Sequence, residues 1–190
     1  MTINQEIEYK QLLTHNQYEA LRNRYFNTLK PFTQKNHYID TPDFALAEHL
    51  MALRIREIDD TYEMTLKVPA KVGLTEYNHM TEVVPKQDMH LTPDKLPDPI
   101  HSVLQETGID VTQLYVLGAL TTHRMETEID EGLLVLDYSE YLGTEDFELE
   151  FEVEQPEEGL KKFQEILQDF NIQSYIPKNK VARFFEVKNK

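Results

Sequence analysis

The stretch DFELEFEVE, residues 146–154, decides the fold because charged and apolar side chains alternate along its whole length. Successive side chains of a β-strand point to opposite faces, so the pattern predicts a strand with one apolar and one ionic face. The apolar face carries Phe147, Leu149, Phe151 and Val153, and the ionic face carries Glu148, Glu150 and Glu152. The rise per residue of a strand spaces these carboxylates about 7 Å apart.

Two interpretations fit this row of carboxylates. Half-buried antiparallel strands normally turn their charges to water, and for a single strand that is the simpler interpretation. The charges of this chain are, however, separated by sign from strand to strand, whereas solvated sheet faces keep like charges apart. The rows are Glu6 with Glu8, Arg54 with Arg56, and Glu148 with Glu150 and Glu152. This separation favours ionic faces that bind ligands of opposite charge.

Strand patterns dominate the chain, and three amphipathic helices interrupt them, beginning near Thr14, Asp98 and Pro156. The strand candidates are residues 5–13, 34–41, 51–58, 61–69, 76–85, 116–130, 133–141, 146–154 and 181–187. This order predicts an α+β fold with an antiparallel sheet or barrel. If the sheet closes, its ionic faces point inward and the helices cover the outside. No domain boundary is visible, so we expect a single domain over residues 1–190.

Composition excludes several classes of function. The 190 residues include 19 Lys and Arg against 34 Asp and Glu, and the resulting net charge of -15 argues against a broad nucleic-acid surface. There is no cysteine, no bilayer-length apolar run and no signal-peptide pattern, so we expect a cytoplasmic protein without membrane contact. Its expected oligomeric state is a monomer or homodimer. Glycine-rich nucleotide loops and a helical zinc motif are also absent. Any chemistry therefore rests on Asp, Glu, Lys and Arg, with Tyr as a further candidate.

The two signs of charge indicate two kinds of ligand. Carboxylate oxygens without histidine or cysteine are the ligands that Mg²⁺ or Mn²⁺ prefers. Rows of arginine and lysine fit phosphate, which guanidinium groups bind through two parallel hydrogen bonds. A cavity with one acidic and one basic wall would therefore bind a chain of phosphates together with a divalent metal.

The chain resembles the CYTH superfamily, the triphosphate tunnel metalloenzymes, through six motifs that occur in the order of that family. These are Glu6-x-Glu8-x-Lys10, Tyr38-x-Asp40-Thr41, Arg54-x-Arg56, Thr65-x-Lys67, Glu148-x-Glu150 and Lys180-x-x-Arg183. The resemblance spans essentially the whole chain and is strongest to the short stand-alone proteins of Bacillus-type bacteria. It implies an eight-stranded antiparallel β-barrel, or tunnel, with a charged interior and flanking helices.

The resemblance also implies an activity and a set of site residues. The activity is metal-dependent hydrolysis of a small triphosphorylated substrate: inorganic triphosphate, thiamine triphosphate or a nucleoside triphosphate. The implied ligands of Mg²⁺ or Mn²⁺ are Glu6, Glu8, Glu148 and Glu150. The implied phosphate-binding residues are Lys10, Arg54, Arg56, Lys67, Arg124, Lys180 and Arg183. Glu126, Asp137 and Glu152 are candidates for the base that activates water, and the sequence does not separate them.

Two other functions use nearly the same residues. An adenylyl cyclase binds ATP in the same kind of tunnel but must also orient the ribose 3′-hydroxyl group. A polyphosphate- or nucleotide-binding module without turnover needs the same charges as a hydrolase. Because fold alone does not decide function, both remain alternatives to the triphosphatase.

Overall fold

The computed structural model describes residues 1–190 as nine strands and five helices. The strands are β1 (Thr2–Glu6), β2 (Glu8–Leu13), β3 (Phe32–Asp40), β4 (Ala52–Ile58), β5 (Thr61–Pro69), β6 (Leu74–Thr81), β7 (Tyr115–Ile129), β8 (Gly132–Tyr141) and β9 (Thr144–Val153). The helices are α1 (His15–Tyr25), α2 (Ala45–Glu48), α3 (Asp98–Glu106), α4 (Pro156–Asp169) and α5 (Lys180–Lys188). The predicted α+β class with antiparallel strand pairing is confirmed. No helix combines the length and apolar character that a membrane crossing requires.

The strand count differs from the expected eight because the first predicted strand, residues 5–13, is divided at Ile7. The carbonyl group of Ile7 accepts a hydrogen bond from the backbone N–H of Val153, the last residue of β9. Residues before Ile7 belong to β1, and residues after it pair with β9 as β2. Alternation continues through both strands, so the sequence pattern alone does not reveal the break.

The predicted strand at residues 181–187 is wrong, because this segment is part of helix α5. The side chain of Asn179 accepts a hydrogen bond from the N–H of Ala182 and caps the helix. Val181, Phe184 and Phe185 have the i, i+3 and i+4 spacing of one helix face. Phe184 and Phe185 are buried. The helix puts Lys180 and Arg183 one turn apart, where a strand would separate them by about 10 Å.

The structure divides into two compact units. The first unit contains Met1–Gln5 and Lys35–Leu120, and its strands follow the order β1-β6-β5-β4-β3. Asp59 and Asp60 form the hairpin turn between β4 and β5, and both have positive φ angles. Apolar side chains from one face of these strands pack against α2 and α3 in a buried core that includes Leu53, Leu66 and Leu104.

The second unit contains Glu6–Gln34 and Thr121–Lys190, with the strand order β7-β8-β9-β2. Thr14 and Gln17 form a capping box at the start of α1, the helix predicted to begin near Thr14. Helix α4 begins at Pro156, as predicted, and buries Phe163, Ile166 and Leu167. These side chains pack against the apolar face of β9 in a second core, so the opposite face of β9 is left for its carboxylates.

Asp40, the last residue of β3, has a structural role in the turn that follows this strand. Its carboxylate, 2% exposed, accepts hydrogen bonds from the N–H groups of Thr41 at 2.7 Å, Leu46 at 2.9 Å and Ala47 at 3.1 Å.

We expect Asp40→Ala to lower the free energy of unfolding by about 2–4 kcal/mol, because several buried N–H donors lose their acceptor. Urea denaturation measures this loss. Asp43→Ala, at a more exposed position of the same turn, should cost clearly less, and equal losses would contradict the assignment.

Candidate metal and phosphate site

Charged side chains of the second unit share one face of β7, β8, β9 and β2. Arg124 on β7 lies directly opposite Asp137 on β8, and Asp137 lies opposite Glu148 on β9. Two residues further along β9, Glu150 lies opposite Lys10 on β2. The alternation seen in residues 146–154 therefore brings acidic and basic side chains into adjacent rows on a single face.

Three of these side chains form a compact group, which we call the carboxylate trio: Asp137, Glu148 and Glu150. Asp137 and Glu148 are 0% exposed, and Glu150 is 6% exposed. One oxygen atom from each carboxylate lies within 4.8 Å of the others. Because like charges at such distances repel strongly when buried, the trio requires positive partners.

Lys180, the first residue of α5, contacts every member of the trio. Its Nζ atom lies 2.8 Å from Oδ2 of Asp137 and also donates to Glu148 and Glu150. The helix cap at Asn179 fixes where α5 begins, and so fixes the backbone from which this side chain extends.

Two arginines complete the charge balance. Arg124 donates from Nε and Nη2 to both oxygens of Asp137, at 2.8 and 2.7 Å, and from Nη2 to Glu150 at 2.8 Å. Arg183, one turn after Lys180, donates to Glu148 at 2.7 Å and to Asp146 at 2.9 Å. Such forked, charge-assisted bonds fix the guanidinium planes as well as their charge.

The surroundings drive the pKa values of the two glutamates apart. Burial, together with the nearby Glu150, raises the pKa of Glu148 to about 7 against the opposing effects of Lys180 and Arg183. Burial also acts to raise the pKa of Glu150, but Lys180, Arg124 and Lys10 outweigh it and hold that pKa well below its usual value. The pKa of Lys180 lies well above its usual value because the three carboxylates outweigh burial, so its ammonium group stays charged.

The other predicted acidic residues, Glu6, Glu8, Glu126 and Glu152, are not members of this group. Glu8 accepts a hydrogen bond from Lys10, and in the register of β2 and β9 it lies opposite Glu152. Glu6 is half-buried at the end of β1. Glu126 is exposed and lies 3.8 Å from Nη1 of Arg124. Glu6 and Glu8 are thus outside the trio, and their role as metal ligands stays a prediction.

Asp137 differs from the other candidates for the catalytic base. Both of its oxygens accept hydrogen bonds from Arg124, and one of them also contacts Lys180. A carboxylate so occupied orients its partners and has little capacity to take a proton from water.

The sequence analysis did not single out Asp146, the partner of Arg183. The signal was present, because Asp146 continues the row of Glu148 and Glu150 by two residues.

The first unit has an ionic face of its own. Arg54 lies between Tyr38 on β3 and Thr65 on β5, and Lys67 bonds to Glu76 on β6 at 2.8 Å. Nε of Arg56 donates to Asn36 at 3.3 Å. Nε of Arg54 is buried without a hydrogen-bond partner, which is costly unless a ligand supplies the acceptor. Together these cations make a surface suited to phosphate oxygens.

The carboxylate trio fits a small divalent cation. All three ligands are oxygen atoms, the donor type that Mg²⁺ and Mn²⁺ prefer. The three oxygen atoms lie within 4.8 Å of one another, and oxygens bound to one Mg²⁺ lie at most about 4.2 Å apart, so the carboxylates have to move closer together to share one ion. The three carboxylates already enclose a positive charge, the ammonium group of Lys180.

Comparison with known proteins finds matches over nearly the whole chain, and the activities in their descriptions differ. A family model described as "CYTH domain" matches residues 4–185. The "Putative triphosphatase YjbK" of Bacillus subtilis is 42% identical over 188 residues, which cover 97% of this chain and 96% of that protein. A solved structure described as a "putative adenylate cyclase" from Bacillus halodurans is 36% identical, with a TM-score of 0.85 over 97% of this chain and 100% of that one.

A more distant solved structure has the same fold. It is the "Putative adenylyl cyclase HpAC1" from Hippeastrum, described as having a dominant triphosphatase activity. It is 24% identical, with a TM-score of 0.73 over 98% of this chain and 96% of that one. At this identity the likeness shows the fold alone.

Proposed function

Because the chain belongs to the CYTH family, we propose that it hydrolyses triphosphorylated compounds with the help of a divalent metal ion. The observation that carries the proposal is the buried carboxylate trio, which three cationic side chains surround. A relative 42% identical to the chain is described as a putative triphosphatase, which supports the same reaction class. The preferred substrates we propose are inorganic triphosphate, thiamine triphosphate or a nucleoside triphosphate.

Glu148 and Glu150 are the metal ligands we propose, with Asp137 beside them and Glu6 and Glu8 as further ligands. A bound Mg²⁺ or Mn²⁺ would neutralise charge on the phosphate oxygens during hydrolysis. The chain supplies the other requirement of phosphoryl transfer, which is positioning. Arg124 is held by two carboxylates, so its guanidinium group is already oriented before a phosphate oxygen binds.

The phosphate-binding residues we propose are Lys10, Arg124, Lys180 and Arg183 in the second unit, and Arg54, Arg56 and Lys67 in the first. Glu126 and Glu152 remain the candidates for the base that takes the proton of the attacking water. Both are less enclosed than Asp137, whose oxygens are already occupied. Separate Glu126→Gln and Glu152→Gln variants, assayed over pH 6–9, would distinguish them.

The test is a panel of inorganic triphosphate, thiamine triphosphate and ATP, each incubated with Mg²⁺ or Mn²⁺. We expect phosphate release from at least one compound, complete loss of release in EDTA, and recovery when the metal is restored. Tight binding of a triphosphate by calorimetry without phosphate release over hours would instead identify a binding module. Undiminished release in EDTA would contradict the role of the metal.

Adenylyl cyclase is the second candidate because a solved structure 36% identical to the chain carries that description. The two activities differ in their products: a cyclase converts ATP to cyclic AMP and pyrophosphate, whereas a triphosphatase releases inorganic phosphate. Incubation with ATP and Mn²⁺, followed by chromatography of the products, separates them. We expect phosphate, and cyclic AMP as the main product would overturn the proposal.

Arg54→Met tests the first unit as a phosphate-binding surface. The buried Nε of Arg54 has no acceptor in the protein, so a phosphate oxygen is its natural partner. Loss of a charge-assisted hydrogen bond of about 1.5–3 kcal/mol should raise KM roughly 10- to 100-fold. Lys71→Met removes an exposed positive charge from the same unit and is the matched control. Equal KM values for wild type and Arg54→Met would contradict the assignment.

A further inference from the structure

The ammonium group of Lys180 lies where a metal ion shared by the carboxylate trio would lie. Its Nζ atom contacts an oxygen of Asp137, of Glu148 and of Glu150. The same three residues provide the group of oxygens close enough for a metal ion. The side chain therefore acts as an internal cation at that position.

No other cation of the site has this arrangement. Arg124 bonds to Asp137 and Glu150, and Arg183 bonds to Glu148 together with Asp146. Lys10 bonds to Glu8 and only influences Glu148 and Glu150 through space. Lys180 alone contacts all three carboxylates at once.

Lys180 is also better able to leave than either arginine. The arginines are fixed by forked hydrogen bonds that a displaced side chain would lose in pairs. A lysine ammonium is a compact charge on a flexible four-carbon stem, with three rotatable donors. It can move several ångströms while α5 stays in place, since the helix is anchored by buried Phe184 and Phe185.

We propose that Lys180 is a displaceable counter-ion that occupies the metal position of the carboxylate trio and moves onto the triphosphate when a divalent ion binds. This inference rests on the proposed function and adds a coupling to it. Without metal, the positive charge of Lys180 offsets the negative charge of the three buried carboxylates and so reduces their mutual repulsion. When a divalent ion takes over that balance, the ammonium group is released to bind phosphate.

The displacement of Lys180 would couple the binding of the divalent metal to the binding of the triphosphate. Metal binding frees a phosphate-binding group, and a triphosphate that binds this group removes a competitor of the metal. Each ligand therefore increases the affinity for the other by the same factor, as thermodynamic linkage requires. Replacement of Lys180 by a neutral side chain should abolish most of this coupling.

The experiment is titration calorimetry with Mn²⁺ on the full chain, comparing wild type with Lys180→Met. We expect the variant to bind Mn²⁺ at least about tenfold more tightly, a change of about 1.4 kcal/mol, because its carboxylates no longer hold an internal cation. Lys10→Met removes a nearby positive charge without clearing the metal position and should have a smaller effect. Lys178→Met, an exposed position two residues before Lys180, should have none.

A second titration measures the coupling itself. Imidotriphosphate, in which nitrogen replaces the bridging oxygens, is present at saturating concentration. We expect it to tighten Mn²⁺ binding to wild type by several-fold and to have little effect on Lys180→Met. Equal tightening in both proteins would overturn the displacement of Lys180.

Thermal melting keeps the test valid if Lys180→Met is unstable. Mn²⁺ replaces the lost positive charge, so it should raise the melting temperature of the variant more than that of wild type. The inference would be overturned if Mn²⁺ raised the melting temperature of Lys180→Met by no more than that of wild type. It would also be overturned if wild type and Lys180→Met bound Mn²⁺ with equal affinity, or if Lys10→Met changed the Mn²⁺ affinity as much as Lys180→Met does. Normal Mn²⁺ binding with no hydrolysis of any triphosphate would reject the proposed function instead. Absence of Mn²⁺ binding in every variant would reject both.

Discussion

Glu150→Gln is expected to lower the rate of triphosphate hydrolysis by about 10²–10³-fold, the usual loss when one electrostatic group is removed from an active site. Glu150 is a proposed metal ligand, and its carboxylate also binds Arg124 and Lys180. Glutamine keeps the size of the side chain but removes its charge. The measurement is kcat for phosphate release with saturating metal and substrate.

The matched control for this variant is Glu145→Gln. Glu145 lies on the same strand, β9, but is exposed and accepts a hydrogen bond from the hydroxyl group of Tyr138. The control should retain nearly full activity. If Glu150→Gln kept more than half of the wild-type rate, the trio would not be the catalytic metal site.

Asp137→Ala is expected to lower the free energy of unfolding by about 3–5 kcal/mol, as is typical when one partner of a buried ion pair is removed. Asp137 is fully buried, and its removal takes two acceptor oxygens from Arg124 and one from Lys180. Urea denaturation, monitored by far-UV circular dichroism, measures the change. The slope of the transition should stay constant, because the folded structure buries nearly the same surface.

Glu126→Ala provides the comparison for this second variant. Glu126 lies 3.8 Å from the same arginine, but it is on the exposed side of the group. Exposed ion pairs contribute about 0–1 kcal/mol, so the loss should be small. A loss below 1 kcal/mol for Asp137→Ala would show that the buried pair does not hold the unit together.

Local alternation was sufficient to predict much of the second unit. In β9, the two-residue period of residues 146–154 separates Glu148 and Glu150 from Phe147, Leu149 and Phe151, and the structure confirms both faces. The period says which side chains share a face of one strand. It does not say which residue of the next strand lies opposite, because that register depends on pairing between distant segments.

Asp137 illustrates this limit. It was predicted as one of three candidates for a catalytic base, which the sequence did not separate. Only the register of β7, β8 and β9 shows that it lies between Arg124 and Glu148. Its ion pairs, and hence its membership of the trio, follow from that long-range pairing.

Helix α5 illustrates a different limit. The segment VARFFEV is rich in β-branched and aromatic residues, which favour strands, and this composition produced the wrong prediction. The correct signal was local: Asn179 in a capping position, followed by apolar residues at helical spacing. The CYTH resemblance nevertheless selected Lys180 and Arg183, because that inference used residue identity and spacing without any assumption about secondary structure.

The most direct test of the metal site is a crystal structure of the protein with Mn²⁺ and imidotriphosphate, analysed by anomalous scattering. We predict a manganese peak within about 2.2 Å of carboxylate oxygens of both Glu148 and Glu150, with the phosphate chain in contact with Arg124. A manganese peak elsewhere, with the carboxylates of Glu148 and Glu150 still bound only to Lys180, Arg124 and Arg183, would contradict this assignment.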